Sequence, residues 1–123
     1  MKLKRLKALL KANVVVTKMH TKDPRTEIPY EMIVHAVRSL SGEVTQSMRL
    51  VTFEYHGEEY ARFRFYMDQE PNEDETERGE IVGANFSAGI FTSKLDIEFI
   101  VSQKPFGKLN PSGFGIYRRW EAS

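Results

Sequence analysis

The chain has 123 residues, of which 41% are hydrophobic and 28% charged, with a formal net charge of +1. These values are typical of one folded domain, expected here over residues 1–123, and exclude a disordered chain. Because cysteine is absent, disulfides and thiolate-bound zinc or iron–sulfur sites are excluded, and a reducing, cytoplasmic location is expected.

The first 25 residues form a strongly basic segment. They contain eight Lys or Arg and one acid, Asp23, which gives a net charge of +7. Leucines recur at helical spacing over residues 2–11, which predicts a short basic amphipathic helix followed by a polar loop. Lys7 and Lys11 interrupt the apolar stretch that a signal peptide requires, so no export signal is expected.

A second helix is predicted after this loop. Pro29 suits its first turn, and Gly42 is a natural residue at which it would end. Apolar residues at i, i+3, i+4 and i+7 indicate its buried face. These residues are Ile33, Ala36, Val37 and Leu40. His35 lies roughly opposite this face on the helix and is expected to be solvated.

Two strands are predicted next, over residues 48–55 and 59–67. His56 and Gly57 would form a tight turn between them, because glycine supplies the positive φ that hairpins need. Alternation then predicts a core-facing side and an opposite side. The predicted core-facing side contains Met48, Leu50, Phe63, Phe65 and Met67. The predicted opposite side contains Val51, Phe53, Tyr55, Tyr60, Arg62, Arg64 and Tyr66.

An acidic loop and a third helix follow the hairpin. Residues 54–80 contain ten Asp or Glu and three Arg, a net charge of −7. Asn72 is expected to cap the helix, with Glu75 as its capping-box partner. Glycines leave the length of the helix open. The longest uncharged stretch, residues 81–93, is too short to cross a bilayer, so no membrane span is expected.

The chain is predicted to end with two more strands. Apolar residues alternate over residues 95–101, and a loop rich in Pro and Gly leads to a short strand over residues 114–120. The element order is therefore ααββαββ, which predicts an α+β fold. We expect a sheet of about four strands, mixed or antiparallel, with helices on one face. The strand order stays open.

No sequence pattern indicates catalysis or metal binding. His20, His35 and His56 fall in a loop, a helix and a turn, without the spacing of metal ligands. There is no nucleophile motif of the G-x-S-x-G type, and the stretch GKLNPSGFG lacks the residue order of a phosphate-binding loop. We therefore expect a non-enzymatic protein without a metal or a cofactor.

Two candidate binding surfaces are predicted. The first is acidic and would suit a basic protein partner, although a merely solvated surface explains the same residues. Its candidate residues are Asp68, Glu70, Glu73, Asp74, Glu75 and Glu77. The alternative is a nucleic-acid platform on the sheet, in which aromatic and arginine side chains alternate. Its candidate residues are Phe53, Tyr60, Arg62, Arg64 and Tyr66.

The nucleic-acid alternative has a competing explanation in the third strand. If that strand neighbours the hairpin, Asp96 and Glu98 can pair with Arg62 and Arg64 and neutralise the platform. The acids of residues 54–80 would also repel phosphate. Nucleic-acid binding is therefore the second of the two hypotheses.

Four stretches of the chain resemble a family of small bacterial proteins. They are IVHAVRSLSGEVTQSMRLVTFEYHGEE, RFRFYMDQEPNEDETERGEIV, LDIEFIVSQ and GIYRRWE. The family is similar to immunity proteins of polymorphic-toxin loci, of the contact-dependent-inhibition or colicin type. This resemblance implies a protein without an active site that binds and neutralises a cognate toxin domain, commonly a nuclease. It assigns no role to any single residue, and the basic first 25 residues lie outside it.

Overall fold

The computed structural model describes residues 13–17, 28–89 and 94–122. The helix predicted over residues 2–11 lies outside these ranges. The strands are β1 (Asn13–Thr17), β2 (Met48–His56), β3 (Tyr60–Met67), β4 (Leu95–Val101) and β5 (Phe114–Arg118). The helices are α1 (Tyr30–Leu40), α2 (Glu73–Ser87) and the single turn α3 (Phe106–Leu109).

The strands form one mixed sheet in the order β1-β4-β3-β2-β5. β2 is antiparallel to β3 and β5, whereas β4 is parallel to β1 and β3. The predicted α+β class is therefore confirmed, and of the two predicted sheet types, mixed and antiparallel, the sheet is mixed. The strands β2 to β5 correspond to the four that were predicted, and β1 adds a fifth at the edge beside β4.

The hydrophobic core lies between the sheet and the two longer helices. Ala36 and Leu40 of α1 and Val82 and Phe86 of α2 belong to the same buried cluster as the aromatic side chains of the sheet. The sheet residues of this cluster include Val51, Phe53, Phe63, Phe65, Ile97 and Phe99. α1 and α2 therefore cover one face, as predicted, while the short α3 packs with Leu50, Tyr66 and Ile100 in a second cluster.

The predicted assignment of β2 to the two sides of the sheet is wrong from Leu50 to Tyr55. The turn contains three residues, Gly57 to Glu59, so His56 pairs with Tyr60. The predicted two-residue turn, His56 and Gly57, would pair Tyr55 with Glu58 instead of Ala61, a shift of three residues. Any shift by an odd number of residues exchanges the faces. Phe53 consequently pairs with Phe63 and is fully buried beneath the helices.

The register also changes near the start of β2. Met48 pairs with Met67 and Leu50 with Tyr66, with an irregularity between Met48 and Leu50. Such a bulge reverses the alternation of side chains along a strand. Met48 therefore belongs to the helix-covered core as predicted, whereas Leu50 lies in the cluster on the other side of the sheet.

Gly79 explains how α2 packs so closely on β4. A Cβ atom at this position would lie 2.7 Å from Cζ of Phe99 and 3.2 Å from Cγ2 of Ile97. The helix continues through Gly79 and Gly83 to Ser87 without a break. The glycine that weakens helix propensity thus serves the contact between the helix and the sheet.

Candidate functional site

Acidic side chains surround the start of α2. Glu70 lies in the loop before the helix, and Glu73 and Asp74 lie in its first turn; all three are exposed. Asp68 and Glu77 are half-buried at the margins of this group. We call these five residues the acidic surface. Negative charge at this position also suits the positive end of the helix dipole.

Glu75 belongs to the same acidic stretch but points into the protein. Its backbone N–H donates to Oδ1 of Asn72 at 2.8 Å, and Asn72 N–H donates to Oε1 of Glu75 at 3.1 Å. Thr45 Oγ1 donates to the second carboxylate oxygen at 2.9 Å. The predicted capping box is therefore confirmed. With 5% of its surface exposed, Glu75 is a structural residue and lies outside the acidic surface.

Ion pairs connect the acidic surface to the last residues described. Arg119 Nη1 donates to Oδ2 of Asp68 at 2.9 Å, and its Nη2 donates to Oε2 of Glu121 at 2.7 Å. Arg49 Nε also donates to Glu121, at 2.8 Å. The hydrogen bonds to Glu121 lower its pKa from the ordinary value of 4.5 to about 2. The bond from Arg49 makes the largest contribution to this shift. Asp68 is therefore held in place by the chain segment that follows β5.

A second ion-pair group lies on the face of the sheet opposite α1 and α2. Arg64 Nη1 lies 2.6 Å from Glu54 and its Nε 2.6 Å from Glu98. Arg62 contacts Asp96 at 3.1 Å and Glu54 at 3.2 Å. Because β4 is the neighbour of β3, Asp96 and Glu98 pair with the arginines as the sequence suggested. The positive charge of the predicted platform is neutralised within the chain.

The other residues of the predicted platform are not exposed together. Tyr66 is fully buried, and its hydroxyl accepts a hydrogen bond from the Ser112 N–H at 3.2 Å. Burial raises the pKa of Tyr66 above its usual value of 10.0. Phe53 lies on the other side of the sheet, in the core. Tyr60 is half-buried and stacks on His56, with 4.3 Å between ring centroids. The five platform residues therefore do not form one accessible surface.

His35 is half-buried between α1 and α2, which corrects the prediction of a solvated residue. Its Nε2 lies 3.0 Å from the carbonyl oxygen of Phe86, and the two rings are 4.9 Å apart. In the described part of the chain, no three His, Cys, Asp or Glu side chains are grouped so that they could hold a metal ion. The helices described there include none long and apolar enough to span a membrane.

Two exposed aromatic side chains near the end of the chain were not predicted from the sequence. Phe114, the first residue of β5, has 47% of its surface exposed, and Trp120, two residues beyond that strand, has 85%. Trp120 was predicted to lie within the last strand, but β5 ends at Arg118. A large exposed aromatic side chain is a common interface anchor, and nothing in the local sequence pattern distinguishes it from a core residue.

Comparison with known protein families gives a match. Residues 29–121 match a family model described as MafI2 immunity protein. The matched range contains every described element from α1 to β5, and it includes the acidic surface. A search of curated proteins finds no match to the chain.

Proposed function

Because the chain belongs to the MafI2 immunity protein family, we propose that it binds a cognate toxin domain and neutralises it. The observation that carries this proposal is the family match over residues 29–121. An inhibitor of this kind acts by occupying a surface of the toxin and needs no catalytic group of its own. The protein would act in the cytoplasm of the bacterium that makes the toxin, where it prevents self-intoxication.

The acidic surface is the contact region that we propose for this toxin. Its exposed members, Glu70, Glu73 and Asp74, project from one loop and the adjoining helical turn. They belong to the stretch of residues 54–80 with a net charge of −7. Such a surface would accelerate association with a basic partner by electrostatic steering. A nuclease domain would have this character, because phosphate binding requires a basic surface.

A first experiment identifies the toxin. The tagged protein is used to isolate partners from a lysate of its own bacterium at moderate salt, with nuclease-treated and untreated samples in parallel. The captured partner is then purified and mixed with the immunity protein. We expect a stoichiometric complex that survives nuclease treatment and abolishes the partner's toxicity when both are expressed together. Recovery of nucleic acid alone, lost after nuclease treatment, would contradict the proposal.

A second experiment tests the acidic surface. The double variant Glu73→Lys with Asp74→Lys should lower the association rate constant by about tenfold or more at low salt, with less effect at high salt. The matched control is Glu58→Lys with Glu59→Lys, which makes the same charge change in the exposed hairpin turn. Equal association rates for the two double variants would assign the toxin contact to another part of the molecule.

A further inference from the structure

β5 lies at one edge of the sheet and pairs on its inner side with β2. No strand of the described residues pairs with its outer side. Gly115, the second of the five residues of β5, is exposed, and because glycine has no side chain, its exposed surface belongs to the backbone. An edge strand presents alternating N–H and C=O groups, and their natural complement is another extended segment.

Side chains at both ends of this edge could anchor such a segment. Phe114 begins β5 and is about half exposed, and Trp120, two residues beyond the end of β5, is largely exposed. Tryptophan is among the residues that contribute most to binding energy at protein interfaces. The charged residue of the strand, Arg118, has its guanidinium over the ring of Phe106, 4.4 Å from the centroid. Its charge therefore lies over α3 on the face of the sheet.

The β5 edge is continuous with the acidic surface. The backbone N–H of Arg119 donates to the carbonyl oxygen of Arg49 at 2.8 Å, which extends the pairing of β5 with β2 by one residue. The side chain of the same Arg119 contacts Asp68 of the acidic surface at 2.9 Å. A basic partner attracted by the acidic carboxylates would thus arrive beside the carboxyl end of β5.

We propose that the toxin domain adds an extended strand to the outer edge of β5, with Phe114 and Trp120 as side-chain anchors. This inference rests on the proposed function, since it specifies how the same toxin is held. Main-chain hydrogen bonds would supply affinity, and the two aromatic anchors together with the acidic surface would supply specificity.

Arg118 offers a variant that tests the strand addition. Because the Arg119 N–H points to β2, alternation directs the Arg118 N–H to the outer side of β5. Arg118→Pro removes this donor and places a ring at the edge, a position that folded sheets tolerate for proline. Arg118→Ala is the matched control, because it also removes the guanidinium from Phe106 but keeps the backbone N–H.

The experiment uses the full chain and the purified toxin domain. We expect hydrogen exchange at residues 114–118 to slow in the wild-type complex. Arg118→Pro should weaken toxin affinity about tenfold relative to Arg118→Ala, as expected for a lost main-chain hydrogen bond with a steric block. Thermal unfolding of both variants, followed by circular dichroism, verifies that they remain folded.

Three results would overturn strand addition while the proposed function stands. The first is a wild-type complex in which exchange at residues 114–118 is unchanged, and this measurement needs no variant. The second is equal toxin affinity of Arg118→Pro and Arg118→Ala. The third is a dimer of the free chain that Arg118→Pro dissociates, because it would assign the edge to a second copy. Absence of any wild-type complex would overturn the proposed function itself.

Discussion

At the start of α2, the side chains of Asn72 and Glu75 each accept a hydrogen bond from the other residue's backbone N–H. The donor–acceptor distances are 2.8 Å to Asn72 Oδ1 and 3.1 Å to Glu75 Oε1. The Glu75 carboxylate is buried, whereas Glu73 and Asp74, immediately before it, are exposed. One acidic stretch therefore contains two kinds of residue, one that fixes the helix and others that are exposed at the surface.

Glu75→Ala should lower stability without weakening toxin binding. The variant loses the reciprocal cap and the hydrogen bond from Thr45, which should lower the free energy of unfolding by about 1–2 kcal/mol. Glu75→Gln is the control, because glutamine also completes a capping box. Urea unfolding and toxin affinity are measured on both variants. A loss of affinity by folded Glu75→Ala would place this residue in the contact after all.

The capping box could be predicted from sequence because it is local. Asn72 and Glu75 are three residues apart, and the geometry of the first helical turn brings each side chain to the other's backbone N–H. Which side chains of β2 face the helices could not be predicted from sequence. The pairing of Phe53 depends on whether the turn contains two or three residues. Both turns are compatible with Gly57. The accessibility of the β5 edge depends on the strand order, which no local pattern specifies.

Gly79→Ala should be destabilising although alanine favours helix. The new methyl group would lie 2.7 Å from Cζ of Phe99, so the Phe99 ring or α2 would have to shift. Overpacking of this kind costs about 1–3 kcal/mol, more than the gain of about 1 kcal/mol in helix propensity. Gly107→Ala is the control, because its Cβ would have nothing within 4 Å. Equal urea midpoints for the two variants would contradict the close packing of α2.

Arg64→Met should be among the most destabilising changes on the sheet. Arg64 is 4% exposed and Glu54 5% exposed, so the variant leaves a buried carboxylate without one of its partners. Removing one partner of a buried ion pair lowers the free energy of unfolding by about 3–5 kcal/mol. The double variant with Glu54→Met also removes the buried carboxylate and should recover part of the lost free energy of unfolding. If the double variant is no more stable than Arg64→Met alone, the charge is not what makes the single change costly.

The pKa of Glu121 predicts an acid-dependent part of the stability. Hydrogen bonds from Arg49 and then Arg119 hold this pKa at about 2, below its ordinary value of 4.5. Between these two values the unfolded chain takes up a proton at Glu121 while the folded protein does not. The ionised Glu121 carboxylate therefore contributes its full stabilisation above pH 4.5, and this stabilisation is lost as the pH falls towards 2.

Glu121→Gln should remove this contribution. We expect it to lower the free energy of unfolding at pH 7 by about 1–2 kcal/mol, because the side chain is partly exposed and its ion pairs are partly screened. The difference from wild type should shrink between pH 4.5 and pH 2. Arg49→Met should reduce the same pH-dependent difference, since Arg49 makes the larger contribution to the shift. The free energy of unfolding of all three proteins is measured with urea from pH 7 to pH 2. If wild type exceeds Glu121→Gln by as much at pH 2 as at pH 7, this stability does not come from the ion pairs of Glu121.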